Sequence, residues 1–210
     1  MTPYVLDAAG LSDRGIKRDH NEDAWSSPPA DLSEEQIKTK GCLYVVADGV
    51  GGHLAGDVAS AMAVEIIEQR YYDNPSSDIV DSLNSAIEDA NMAIYQNAND
   101  DPARRGMGTT LTAVILQDHT LTVANVGDSR TYLIRESHTH QLTTDHTWVE
   151  EQVQVGLITR EEAARHPQRN IITRSLGNEA QLSIDIFEEH VKAGDSVLLC
   201  SDGLSNMVSD

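Results

Sequence analysis

Residues 43–53 read LYVVADGVGGH, and this stretch decides the fold of the chain. The first five residues form a short apolar run rich in β-branched side chains and are soon followed by glycines, which favours a buried strand over a helix. The strand is predicted to end at Asp48. The glycines that follow remove side chains around this carboxylate and let an ion or a phosphate approach the backbone. A tight Asp-Gly turn between two strands is the alternative for the motif taken alone.

The same arrangement recurs twice along the chain. Residues 197–201 form an apolar run that leads to Asp202, and residues 121–126 lead through a glycine to Asp128. Three strand ends that each deliver a carboxylate to a loop are typical of a hard-metal site, because Mg²⁺ and Mn²⁺ prefer carboxylate, carbonyl and water oxygens. A bound cation would also offset the mutual repulsion that otherwise raises the pKa of clustered acids.

Composition limits the class of protein. The chain has 210 residues, 40% of them hydrophobic, without a Pro/Gly/Ser-rich linker, so we expect one globular domain over residues 1–210. The net charge of -19 with only 15 Lys and Arg argues against binding to nucleic acid or to an anionic membrane. No apolar stretch approaches the roughly 20 residues that span a bilayer. The amino terminus also lacks a signal-peptide pattern, so we expect a cytoplasmic protein.

Periodicity predicts an α+β domain in which helices cover the faces of antiparallel sheets. Residues 4–11 are predicted to form a first strand and residues 26–40 an exposed connection. Helices are predicted from Leu54 to about residue 73 and again after a polar N-cap at residues 76–78. Further strands are predicted at residues 111–116, 121–126, 131–134, 184–189 and 196–201. Between them, residues 145–165 are predicted to hold two short helices, the second with a capping box at Thr159.

Arg18 lies in a dense run of charged residues before the second predicted strand. Its guanidinium could grip a phosphate with two parallel N–H bonds, which makes it the best anion-binding candidate of this segment. The alternative role is a surface ion pair. Asp23 or Glu22 could join the metal ligands. Cys42 and Cys200 lie in or beside apolar strands and are interpreted as buried apolar side chains.

Six motifs together resemble the bacterial metal-dependent PPM or PP2C-type Ser/Thr protein phosphatases. The motifs are Asp13-Arg14-Gly15 with Arg18 and residues 21–23, ADGVGGH at 47–53, MGTT at 107–110, VGDSR at 126–130, residues 166–177 from His-Pro to Leu-Gly, and Ser-Asp-Gly at 201–203. The resemblance runs from about Ser12 to the last residues. Their order and spacing, rather than any single motif, carry it.

The resemblance implies a four-layer α-β-β-α sandwich, two antiparallel sheets flanked by helices, with two Mg²⁺ or Mn²⁺ ions where the sheets meet. By matching position, Asp48 would bridge both ions and Gly49 would donate its carbonyl. Asp23 would hold the second ion through water, and Asp202 would hold the first. Asp128 matches the residue that holds a looser third ion together with Asp202.

The resemblance also implies a reaction, in which water activated by the metal ions displaces the Ser or Thr oxygen from phosphorus. Arg18 matches the phosphate-binding arginine. His53 is a candidate proton donor to the leaving oxygen. Residues 145–174 match a flap that influences substrate selection. The implied partners are phosphoserine and phosphothreonine proteins together with a cognate Ser/Thr kinase, and we expect a monomer.

One departure from the family pattern concerns the end of the sequence. The family continues past Ser-Asp-Gly through a further helix and strand to another metal-binding aspartate, and Asp210 is too close to Asp202 to be that residue. We therefore expect the C-terminal elements of the fold to be missing here. Two alternative functions stay open at this point: an impaired domain that binds phosphoproteins without turnover, and a two-metal hydrolase of small phosphoesters.

Overall fold

Two antiparallel sheets form the centre of the molecule. The computed structural model describes residues 5–16, 18–51 and 55–208, so His53 lies outside the described residues. The strands are Asp23–Ser26 (β1), Cys42–Val50 (β2), Gly108–Thr109 (β3), Leu111–Gln117 (β4), Thr120–Val126 (β5), Arg130–Arg135 (β6), His138–Gln141 (β7), Asp185–His190 (β8) and Ser196–Cys200 (β9). The larger sheet has the order β1-β2-β4-β5-β8 with β3 beside β2, and the smaller sheet has the order β7-β6-β9.

The helices are Glu34–Lys40 (α1), Gly56–Asp73 (α2), Ile79–Asp100 (α3), Trp148–Gln154 (α4), Arg160–Ala164 (α5) and Asp202–Ser205 (α6). The two longest, α2 and α3, cover one face of the larger sheet. The long helices α2 and α3 pack on each other and, through residues such as Ile67 and Leu83, on the buried side chains of β2. None of the helices in the described ranges is long and apolar enough to cross a membrane.

A second core lies between the two sheets. It contains Val114 and Val123 of the larger sheet together with Leu133 of the smaller one, and Val197 packs against it. Strands β4 and β5 are therefore covered on both faces, which explains their nearly continuous apolar sequence. The predicted α+β architecture, with two antiparallel sheets and flanking helices, is confirmed.

Three local predictions were wrong. Residues 5–14 form no strand, and Val5 and Leu11 are more than nine-tenths exposed, because no neighbouring strand is there to pair with their backbone. Residues 26–40 contain α1 rather than a connection only, since Ser33 and Gln36 form a capping box that starts the helix. Strand β2 does not end at Asp48 but continues to Val50, because β3 pairs with its last two residues.

The segment 145–174, which we call the flap, contains the two predicted short helices. Thr159 caps α5 through a capping box, as predicted, and Thr147 caps α4. The two ends of the flap are joined, since the N–H of Trp148 donates to the carbonyl of Ile171 at 2.9 Å and the N–H of Thr173 donates to the carbonyl of His146 at 2.8 Å. These two backbone hydrogen bonds hold the two ends of the flap side by side.

Candidate metal centre

Asp48 and Asp23 face each other across the first two strands. In the antiparallel register of β1 and β2, Asp23 is the direct partner of Asp48. Side chains in such pairs lie about 4.5–5.5 Å apart at Cβ, and like charges placed there repel. The register of the sheet therefore brings together two carboxylates that are 25 positions apart in the sequence.

The backbone of Asp48 is fixed by two threonines. Its N–H donates to Oγ1 of Thr110 at 3.1 Å, and its carbonyl accepts from the N–H of Thr110 at 2.9 Å and from Oγ1 of Thr109 at 3.0 Å. Both threonine side chains are fully buried. The carboxylate of Asp48 thus extends from a backbone whose donor and acceptor are already satisfied.

Gly49 lies at the closest approach between β2 and α2. A Cβ at this position would lie 2.2 Å from the carbonyl oxygen of Gly56 and 2.8 Å from that of Glu22. The N–H of Gly49 donates to the carbonyl of Glu22 at 3.0 Å. Only glycine fits here, and its small size keeps the backbone next to Asp48 open.

Asp128 lies in the loop between β5 and β6, and its neighbours are held on both sides. Gly127 has a φ of +103°, its N–H donates to Nδ1 of His146 at 3.1 Å, and its carbonyl accepts from the N–H of His146 at 2.9 Å. Arg130 forms a two-pronged ion pair with Asp145, with its shorter contacts at 2.8 and 2.9 Å. The two successive flap residues 145 and 146 therefore clamp the loop that carries Asp128.

Asp202 begins α6, directly after β9. Its Oδ2 accepts a hydrogen bond from Nδ2 of Asn206 at 3.0 Å. The residue before it, Ser201, donates its hydroxyl to Oδ2 of Asp23 at 2.8 Å. This bond joins the first strand of the larger sheet to the last strand of the smaller one, at the end of the sandwich where Asp48 also lies.

The four predicted acidic residues act on one another electrostatically. The pKa of Asp48 is raised from 3.8 to about 8, first by burial and then by the charges of Asp23, Asp202 and Asp128. The pKa of Asp128 is raised to about 6, again first by burial and then by Asp202 and Asp145. The fold has therefore collected carboxylates that repel each other when ionised, which is the condition that a divalent cation relieves.

The donor set fits a hard cation whose coordination is completed by water. In the described part of the chain, no three or more His, Cys, Asp and Glu side chains are arranged so that they could hold a metal ion by themselves. Mg²⁺ usually keeps several waters and needs only one or two protein carboxylates, and Mn²⁺ favours the same oxygen ligands. Asp48 with its neighbouring carboxylates supplies that kind of site.

Arg18 lies at the surface. Its side chain is 77% exposed, and its Nη1 stands 3.4 Å from Oε2 of Glu22, a long ion pair. The structure thus places Glu22 against Arg18 rather than within the group of acids that act on Asp48. The predicted role of His53 falls on a residue outside the described part of the chain.

Several polar residues next to the acids were not singled out from the sequence by role. Thr110 and Ser129 share a hydrogen bond of 2.7 Å. His146 contacts the loop of Asp128, and Ser201 contacts the carboxylate of Asp23. The MGTT and VGDSR motifs marked the first two as part of a pattern. Only the fold shows what their hydroxyls bind.

Known proteins resemble this chain over most of its length. The family described as "Protein phosphatase 2C" matches residues 10–152. The serine/threonine phosphatase stp of Listeria innocua is 40% identical over 203 residues, which cover 95% of this chain and 78% of that protein. The serine/threonine protein phosphatase PstP of Mycobacterium tuberculosis is 41% identical over 207 residues, 98% of this chain and 38% of that protein.

One similar solved structure contains metal ions. The crystal structure of the catalytic domain of serine/threonine protein phosphatase PstP in complex with two manganese ions has a TM-score of 0.79 and 37% identity, covering 95% of this chain and 79% of that one. The chain therefore belongs to the protein phosphatase 2C family of metal-dependent phosphatases. Within that family it is a PPM-type protein serine/threonine phosphatase.

Proposed function

We propose that this chain removes phosphate from phosphoserine and phosphothreonine in proteins at a site that holds two Mg²⁺ or Mn²⁺ ions. The observation that carries the proposal is the meeting of carboxylates at one end of the sandwich, where Asp23 pairs with Asp48 across β1 and β2 and accepts a hydrogen bond from Ser201, the neighbour of Asp202. Such a site is unfavourable for the fold alone and becomes favourable when cations bind.

Each acid has a proposed role that comes from its match to the motifs of the phosphatase family. Asp48, at the centre of the group, would bridge the two ions, and Gly49 would contribute its carbonyl. Asp202 would hold the first ion, and Asp23 would hold the second through water. Asp128 would hold a looser third ion together with Asp202. When bound, the ions supply Lewis acidity that lowers the pKa of water and offsets the charge of the phosphate.

Arg18 is proposed to bind the phosphate group. Its exposed pair with Glu22 contributes only about 0–1 kcal/mol, so a phosphate dianion can replace Glu22 as its partner. A net charge of -19 repels anionic substrates, which makes a local cation at the rim important for their approach. His53 stays our proposed proton donor to the leaving oxygen, on sequence grounds.

The flap is proposed to act in substrate selection within a single phosphatase domain. Residues 1–210 would form one phosphatase domain, and the flap would contribute to substrate selection, with Val155 and Leu157 exposed at its tip by 69% and 71%. The substrates would be phosphoproteins modified by a cognate Ser/Thr kinase. We also propose, on sequence grounds, a monomer that acts in the cytoplasm.

The test is turnover of a phosphothreonine peptide and of a small aryl phosphate with added Mn²⁺ or with EDTA. We expect metal-dependent release of phosphate from the peptide and a loss of more than about 100-fold in Asp48→Asn, since even outer partners of metal ligands cost 10–100-fold. Asp89→Asn, on the exposed surface of α3, is the control and should keep wild-type rates. Arg18→Ala should mainly raise KM.

Two outcomes would contradict the proposal. Binding of the phosphopeptide without turnover at any metal concentration would favour a phosphoprotein-binding domain. Turnover of the aryl phosphate but not of the peptide would favour a hydrolase of small phosphoesters.

A further inference from the structure

Thr110 connects the two loops that carry the central acids. Its hydroxyl accepts the N–H of Asp48 at 3.1 Å and shares a hydrogen bond of 2.7 Å with the hydroxyl of Ser129. Both Thr110 and Ser129 are completely buried. Ser129 directly follows Asp128, so one threonine hydroxyl stands between the backbone of Asp48 and the loop of Asp128.

The connection is reinforced by close packing around the same side chain. A Cβ at Gly127 would lie 2.7 Å from the Cβ of Thr110, so the glycine before Asp128 rests directly on Thr110. The backbone N–H of Thr110 also donates to the carbonyl of Asp48 at 2.9 Å. Thr110 therefore determines the spacing between the two loops through contacts on both sides.

We propose that Thr110 is a positioning residue of the metal centre: its hydroxyl holds Asp48 and the Asp128 loop at the separation that divalent cations require. This inference rests on the proposed function, since it assigns a purpose to the geometry of that site. Thr110 lies in the MGTT motif and has no need to contact substrate or ions itself. Groups that orient metal ligands through hydrogen bonds change metal affinity by about 10–100-fold when removed.

The same strand provides a matched control two residues further on. Thr112 and Thr131 share a hydrogen bond of 2.7 Å between β4 and β6, and both side chains are completely buried. Thr112 pairs with Val46 and Asn125 in the sheet and has no bond to Asp48. Thr112→Val and Thr110→Val thus remove equivalent buried hydroxyls, but only the second is next to the acids.

The experiment measures Mn²⁺ binding by titration calorimetry without substrate, together with urea unfolding in EDTA and phosphopeptide turnover. Both valine variants should lower the urea midpoint, Thr110→Val by somewhat more, since it also leaves the N–H of Asp48 without its acceptor. Thr110→Val should weaken Mn²⁺ binding by about tenfold or more, and Thr112→Val should leave it within about twofold of wild type. Thr110→Ser restores the hydroxyl and should restore Mn²⁺ affinity.

The outcomes separate this inference from the proposed function. Equal loss of Mn²⁺ affinity in both valine variants, or wild-type affinity in folded Thr110→Val, would overturn the positioning role while turnover still stood. Mn²⁺ binding that depends on Thr110 in a protein without turnover would support the positioning role and overturn the proposed function. If Thr110→Val does not fold, Ser129→Ala breaks the same connection from the other end, and wild-type Mn²⁺ affinity there would overturn the inference.

Discussion

Replacing Asp48 with asparagine should make the metal-free protein more stable while it removes metal binding. The pKa of Asp48 is about 8 in the fold and starts from 3.8 in the reference state. Between these values the folded protein keeps a proton that the unfolded chain has released. Stability therefore falls by about 1.4 kcal/mol for each pH unit in this window, and the loss is complete above pH 8.

Whether Asp48→Asn stabilises or destabilises the metal-free protein depends on two opposing free energies. At about pH 7.5 the accumulated cost of Asp48 is about 5 kcal/mol, a large part of the usual 5–15 kcal/mol of total stability. The asparagine amide avoids this cost but leaves a partly buried polar group whose partners are incomplete, at about 1–3 kcal/mol. We expect a net gain of about 2–4 kcal/mol for Asp48→Asn in EDTA at this pH.

Urea unfolding followed by circular dichroism at two pH values measures this directly. From about pH 6.5 to about pH 7.5 the wild type should lose about 1.4 kcal/mol more than Asp48→Asn. Most of the titration of Asp128, with a pKa of about 6, is complete below this interval. Saturating Mn²⁺, at about 100 times its Kd, should then stabilise the wild type by about 2.7 kcal/mol and the variant not at all.

A parallel pH dependence in wild type and Asp48→Asn would refute the reasoning, because it would mean that Asp48 carries no raised pKa in the fold. The exposed Asp89→Asn variant should follow the wild type at both pH values and gain the same stability from Mn²⁺.

Two further stability predictions rest on matched pairs. Gly127→Ala should lower the free energy of unfolding by about 2–4 kcal/mol, because a φ of +103° is combined with a clash at 2.7 Å against Thr110. Gly194→Ala has a φ of +93° but open space around it and should lower the free energy of unfolding by about 1–2 kcal/mol. Equal losses of stability in urea unfolding would contradict this prediction. Asn91→Leu removes three hydrogen bonds to the backbone of residues 177–180 and should lower the free energy of unfolding by about 2–4 kcal/mol. Asn84→Ala removes one exposed hydrogen bond on the same helix and should lower it by less than about 0.5 kcal/mol. Urea unfolding midpoints measure both changes.

The long elements were predictable because their periodicity is strong. Helix α2 and strands β4 to β6 begin and end within about two residues of the sequence expectation, and α3 begins directly after Asp78, which lies in the predicted N-cap. Residues 5–14 were not predictable, because an apolar run becomes a strand only if a neighbour accepts its hydrogen bonds. Helix α1 depends on one local capping box in an otherwise polar stretch.

The acidic residues of the site could be predicted from the sequence, but the residues that hold them in place could not. An aspartate at the end of a buried strand can be recognised in a sequence because it directly follows a short apolar run. The facing of Asp23 and Asp48 depends on strand register, and the bonds of Thr110 and Ser129 depend on how two sheets meet. Such contacts join residues 19 to 62 positions apart and leave no local pattern.

The hydrogen bond from Ser201 to Asp23 joins residues that are 178 positions apart in the sequence. The bond ties β1 of the larger sheet to the residue that follows β9 of the smaller one. A cation bound by Asp23 and Asp202 would strengthen the same connection, so loss of the ion should also loosen the contact between the two sheets at this end of the sandwich.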